Sequence, residues 1–94
     1  MKNHLTVEIL SNGLKVFLKE IHTAPIISSW LWYRVGSRDE VQGRTGVSHW
    51  VEHMQFKGTP QFPASMLDKA ISREGGMWNA MTYLDWTAYF ETMP

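Results

Sequence analysis

Apolar and polar positions alternate at both ends of the chain and follow a helical period between them. Over residues 5–10, Leu5, Val7 and Ile9 alternate with polar neighbours. Asn12 and Gly13 then give a two-residue turn signal, after which Leu14, Val16 and Leu18 alternate with Lys15 and Lys19. This pattern predicts a β-hairpin. Residues 22–25 read as a loop. Residues 26–35 are apolar on both alternating sets, with Ile26, Trp30 and Trp32 on one and Ile27, Leu31, Tyr33 and Val35 on the other. A run of this kind predicts a strand covered on both faces and central in its sheet. After a polar loop over residues 36–46, residues 45–58 carry a helical pattern. Ser65 and Asp68 then have capping-box spacing, and Met66, Leu67, Ala70 and Ile71 form a helical stripe that Gly75 and Gly76 should end. Residues 77–82 and 86–93 read as two strands joined by a turn near residues 83–85. The fold class expected is α+β, a mostly antiparallel sheet with two helices.

The helix over residues 45–58 carries the candidate chemistry. In TGVSHWVEHMQFKGTP, at about 100° per residue, His53 lies about 40° from His49 and Glu52 about 60° to its other side. Two imidazoles and a carboxylate therefore share one face, and Phe56 returns to it. Val47, Trp50, Val51 and Met54 fall together on the opposite face, an apolar back to bury. Thr45 is the expected N-cap, and Lys57, Gly58 and Pro60 the expected stop. Two histidines one turn apart can converge on one tetrahedral ion, and Zn²⁺ suits neutral imidazoles. Such an ion keeps a position for water and lowers its pKa to about 7, with Glu52 as the candidate base. The order H-x-x-E-H is the inverse of the commoner H-E-x-x-H zinc-peptidase motif. The plainer alternative is a surface charge pattern or a satisfied core pair of histidines with no metal. Glu52 on the same arc and the apolar opposite face weigh against it. His4 and His22 have no partner at ligand spacing and read as solvent-facing.

Composition changes this picture little. Ninety-four residues make at most one domain with a thin core. Nine Lys and Arg balance nine Asp and Glu, so no net field draws in nucleic acid or an anionic membrane. The absence of cysteine excludes disulfides and thiolate metal sites. Residues 1–4 lead straight into a strand pattern without a signal-peptide core or transit helix, and no apolar run reaches bilayer length. A soluble, cytoplasmic bacterial protein is the default expectation. The many Trp, Tyr, Phe and Met residues read as core packing.

The segment HWVEHMQFKGTP, preceded by RVGSRDE and followed by GGMWNAMTYLDWTAYFETMP, resembles the amino-terminal part of the pitrilysin and insulin-degrading-enzyme family of zinc metallopeptidases, the inverzincins, which includes the processing peptidases. The resemblance runs from about Leu10 to the end and covers three separated motifs in family order. It implies a zinc metalloendopeptidase of α/β-roll fold, with His49 and His53 as metal ligands and Glu52 as the catalytic base. It also implies that an edge strand around Asn79 and Ala80 receives a peptide or unfolded polypeptide as an added β-strand, and that Phe56 lines the pocket just past the cleaved bond. Local hydrogen bonding is the alternative for Asn79, and packing under the helix the alternative for Phe56. The family's third zinc ligand is a Glu on a later helix, beyond Pro94; Glu74 and Glu91 match neither its place nor its setting. Residues 1–94 are therefore expected to form a partial amino-terminal metallopeptidase domain, without the third ligand or the second homologous half, and to be nearly inactive alone. A non-catalytic scaffold or partner subunit of the same family is the rival expectation, and a structural zinc site with four protein ligands a weaker one.

Overall fold

A computed structural model describes residues 5–94, and His4 lies outside the described residues. The hairpin forms as its alternation predicts: β1 (Leu5–Ile9) pairs antiparallel with β2 (Lys15–Lys19), Val7 facing Phe17 across the ladder. The loop then leads to β3 (Ile27–Tyr33), which pairs antiparallel with β5 (Thr87–Met93), while β4 (Met77–Thr82) pairs antiparallel with the other side of β5. The order in this sheet is β3-β5-β4. Two eight-residue helices, α1 (Val47–Met54) and α2 (Met66–Arg73), lie between β3 and β4 in the chain and pack on β4. The architecture is α+β with antiparallel sheets of two and three strands.

Three sequence expectations need correction. First, β3 is an edge strand among the described residues, and β5 is the central one. Every β3 residue is exposed, since α1 stands off one face across an open groove and does not bury it. Second, Thr45 does not cap α1. The N-cap is Gly46 at φ 91°, a left-handed conformation that glycine adopts without steric cost. The free N–H groups of Gly46 and Ser48 are taken by the Glu40 carboxylate at 2.9 and 2.8 Å. Third, Ser65 makes no side-chain cap on α2. Its would-be partner Asp68 instead accepts the Trp78 indole N–H at 2.6 Å, tying α2 to β4.

Burial is sparse throughout. Among the described residues Ala88, at the middle of the sheet, is the one buried hydrophobic residue, and Glu52 and Thr87 are the buried polar ones. The expected apolar back of α1 is also uncovered, with Val47, Trp50, Val51 and Met54 all exposed. The accessible surface is 8194 Å², where a compact protein of 10.9 kDa exposes about 5,600 Å². The radius of gyration of 16.0 Å likewise exceeds the roughly 12 Å of a compact chain this long.

One join holds the site together. The chain leaving β3 passes Gly36 in extended conformation and runs against the β4–β5 turn, where Ser37 N–H donates to Tyr83 O at 3.0 Å and Arg38 N–H to Leu84 O at 2.9 Å. Thr87 Oγ1 donates to Val35 O at 2.8 Å. A Cβ on Gly36 would lie 2.2 Å from Tyr83 O, so a side chain there is excluded by space.

Candidate metal centre

Helix α1 presents its polar face toward β4. The alternation of β4 puts Trp78, Ala80 and Thr82 on the half-buried side and Met77, Asn79 and Met81 on the exposed side. On this face helical geometry brings His49, Glu52 and His53 together, with one ligand atom of each within 4.8 Å of the others. The two histidine Nε2 atoms are 2.8 Å apart and hydrogen-bonded, so one ring donates and the other accepts. A tetrahedral zinc with bonds of about 2.0–2.1 Å sets two ligand nitrogens about 3.3 Å apart. Both rings are exposed and free to open by that half ångström. Two imidazoles and a carboxylate are a donor set that fits Zn²⁺.

Glu52 differs from the histidines in being buried, at 8% exposure. Its Oε2 accepts a hydrogen bond from Thr82 Oγ1 on β4, which satisfies a charge that burial would otherwise penalise. A groove of about 460 Å³ opens beside the cluster, lined by His49, Glu52, Ala80 and Thr82 together with the β4–β5 turn. The negative charge of Glu52 reaches the next strand as well. The Tyr89 phenol is held above its usual pKa, first by burial, then by Glu52 and by Tyr33.

Ala80 lies in this groove, and Asn79, on the exposed side of β4, does not line it. In antiparallel pairing, hydrogen-bonded and open residue pairs alternate. Counting back from the Tyr83 N–H to Trp86 O bond, the backbone groups of Trp78, Ala80 and Thr82 point away from β5. No described strand pairs with that edge. The Asn79 Oδ1 accepts the Ala80 N–H at 2.8 Å, a local bond of the kind the sequence left open as an alternative. Phe56 falls beyond the last helical residue rather than on the polar face. Its ring packs 4.5 Å from Trp78, in a separate apolar groove of about 620 Å³ between α1 and the sheet. His22 pairs with Glu20 at 3.3 Å on the surface, and neither Glu74 nor Glu91 joins the metal-capable cluster.

Two side chains that support the cluster escaped sequence reasoning. Thr82 is thirty residues from Glu52, and only tertiary packing joins them. Glu40 caps the helix from the segment that read only as a polar loop, although a carboxylate a few residues before a helix start is a recognisable signal.

Fold and cluster together define a metal-capable helix set against the open edge of an antiparallel sheet. The family model for Insulinase (Peptidase family M16) matches residues 15–94, and the chain belongs to this family. It is 40% identical over 82 residues to the Zinc protease PqqE of Helicobacter pylori, covering 86% of the chain and 18% of that protein. It is 37% identical over 84 residues to the human Cytochrome b-c1 complex subunit 1, mitochondrial, covering 89% of the chain and 17% of that protein. The crystal structure of a protease from Helicobacter pylori superposes with a TM-score of 0.90 at 37% identity, over 97% of the chain and 22% of the other. The chain thus spans about a fifth of the length of these relatives. No described helix is long and apolar enough to cross a membrane.

Proposed function

We propose that the chain is the partial amino-terminal domain of a cytoplasmic zinc metalloendopeptidase, with the third ligand and a second homologous half supplied by further polypeptide. The observation that carries this reading is the convergence of His49, Glu52 and His53 within 4.8 Å on a single helix beside an open strand edge. The surface excess over a compact protein of this mass supports the incomplete domain. His49 and His53 hold Zn²⁺ through neutral ring nitrogens. The ion supplies Lewis acidity toward water and the scissile carbonyl.

The chain's own residues do the rest. Glu52 takes a proton from the attacking water at Oε1 as the water oxygen bonds to the carbonyl carbon. When the C–N bond breaks, Glu52 returns that proton to the leaving amine nitrogen, and the new carboxyl group releases its own proton to solvent. Ala80 offers its outward backbone groups to an extended peptide, and the Asn79 carboxamide gives up the Ala80 N–H to this guest strand. Recognition by main-chain pairing suits an unfolded polypeptide of varied sequence. Phe56 reaches a subsite only by family likeness; its contact with Trp78 favours packing that secures the end of α1.

Zinc binding and peptide cleavage by the full-length protein test the reading. His49→Ala should abolish metal binding, whereas Glu52→Gln should retain metal and lose about 10²–10⁴-fold in turnover. The ninety-four residues alone should bind zinc weakly and cleave almost nothing; robust turnover by them would contradict the incomplete-domain proposal. The second reading, a non-catalytic partner subunit, draws on the likeness to the b-c1 complex subunit. An intact H-x-x-E-H set weighs against it, and equal inactivity of wild type and Glu52→Gln with zinc bound would favour it.

A further inference from the structure

We infer that Thr82 is the positioning residue that decides which oxygen of Glu52 handles the proton. This rests on the proposed peptidase reading and assigns a role to a residue outside the H-x-x-E-H set. Glu52 is the one buried charged residue among those described, and Thr82 Oγ1 donates to its Oε2 across the contact between α1 and β4. The hydroxyl occupies Oε2 as a donor. Oε1 is thereby the oxygen left to accept a proton, and the bond to Oε2 persists when Glu52 becomes a neutral acid.

The position of Thr82 is itself fixed from several sides. It is the last residue of β4, opposite the buried Thr87 of β5, whose Oγ1 is bonded to Val35 O. The next residue, Tyr83, has its N–H bonded to Trp86 O and its carbonyl bonded to Ser37 N–H. The hydroxyl also lines the groove that His49 and Ala80 line. Thr82 thus transmits the placement of the sheet edge, where a peptide would lie, to the carboxylate that must meet it. A valine has the same branched shape and no hydroxyl, and a serine keeps the hydroxyl with less bulk.

The test compares Thr82→Val and Thr82→Ser in the full-length zinc-loaded peptidase, beside a second readout on the metal-free protein. Thr82→Val should lower kcat by about 10²-fold with KM unchanged, the loss a misplacement of about 1 Å causes. Thr82→Ser should restore most of it, and zinc affinity should stay at the wild-type value in both. In metal-free protein labelled with carbon-13 glutamate, the Glu52 carboxyl resonance is identified by its disappearance in Glu52→Gln. It should move toward the position of exposed glutamates in Thr82→Val and stay in place in Thr82→Ser. Wild-type kcat in Thr82→Val, or a Thr82→Ser as impaired as Thr82→Val in kcat, KM and zinc affinity together, overturns the inference. A wild type that binds zinc and cleaves no peptide overturns the peptidase reading and takes the catalytic role with it, even where the carboxyl resonance behaves as expected.

Discussion

Adding one methyl group at Gly36 separates two reasons for a glycine that are usually confounded. Its φ of −154° is open to any residue, so Gly36→Ala carries no backbone penalty. The new Cβ would meet Tyr83 O at 2.2 Å, Leu84 O at 2.6 Å and Leu84 C at 2.7 Å, all of them backbone atoms that cannot swing aside. The segment at Gly36 and the β4–β5 turn must part by about 1 Å, which strains or breaks the bonds from Ser37 to Tyr83 and from Arg38 to Leu84. Overpacking costs about 1–3 kcal/mol. Each weakened bond adds about 0.5–1.5 kcal/mol, less where water replaces it. A total of about 2–4 kcal/mol is a large share of what any chain this long can hold. Gly43→Ala is the control: nothing lies within 4 Å of its Cβ, but φ is +89°, so it should cost about 1–2 kcal/mol from conformation alone. Urea unfolding followed by tryptophan fluorescence, with Trp86 in the affected turn, reads both variants. Gly36→Ala should lose the more, and should also loosen Thr82 and lower turnover, while Gly43→Ala should leave turnover intact. A Gly36→Ala variant within about 0.5 kcal/mol of wild type would refute the steric argument.

The remaining predictions probe the supports of α1 and β4. Glu40 is held below the usual carboxylate range by the Gly46 and Ser48 N–H groups, so its contribution is complete above the unfolded value and lost as pH falls through the lowered folded one. Glu40→Gln should flatten the acid limb of stability and speed amide exchange at Gly46 and Ser48; an unchanged limb counts against the cap. The raised Tyr89 phenol ionises first in the unfolded chain, so stability should fall as pH rises above about 10, and Tyr89→Phe should remove that alkaline loss. Trp78→Phe deletes the bond to Asp68 while keeping a ring against Phe56. A double-mutant cycle with Asp68→Ala should give a coupling of about 1 kcal/mol, Asp68 being exposed; a coupling near zero would mean that the bond does not hold α2 to β4.

The metal-capable core of the site was legible because it is local. His49, Glu52 and His53 lie within one turn of helix, and helical geometry alone brings them together. The hairpin and the β4–β5 turn were legible for the same reason, each set by neighbours in sequence. Thr82 was not, since a threonine at a strand end is unremarkable until another element lands on it. Ser65 and Asp68 show a local rule overruled: the spacing suits a capping box, but Asp68 is drawn to the Trp78 indole ten residues on. The two-sided apolar pattern of β3 and the apolar back of α1 mislead in another way. They forecast coverage on faces that the described residues leave open, so the pattern describes an environment larger than these elements provide.

The join between Gly36–Arg38 and the β4–β5 turn constrains motion as well as position. With the Glu52–Thr82 bond above it and the Thr87–Val35 bond below, the entry to α1 and the exit of β4 are riveted at several points. The alignment of the imidazole pair with the strand edge therefore rests on bonds at both ends of this join, and a change at any one of them is shared by the others.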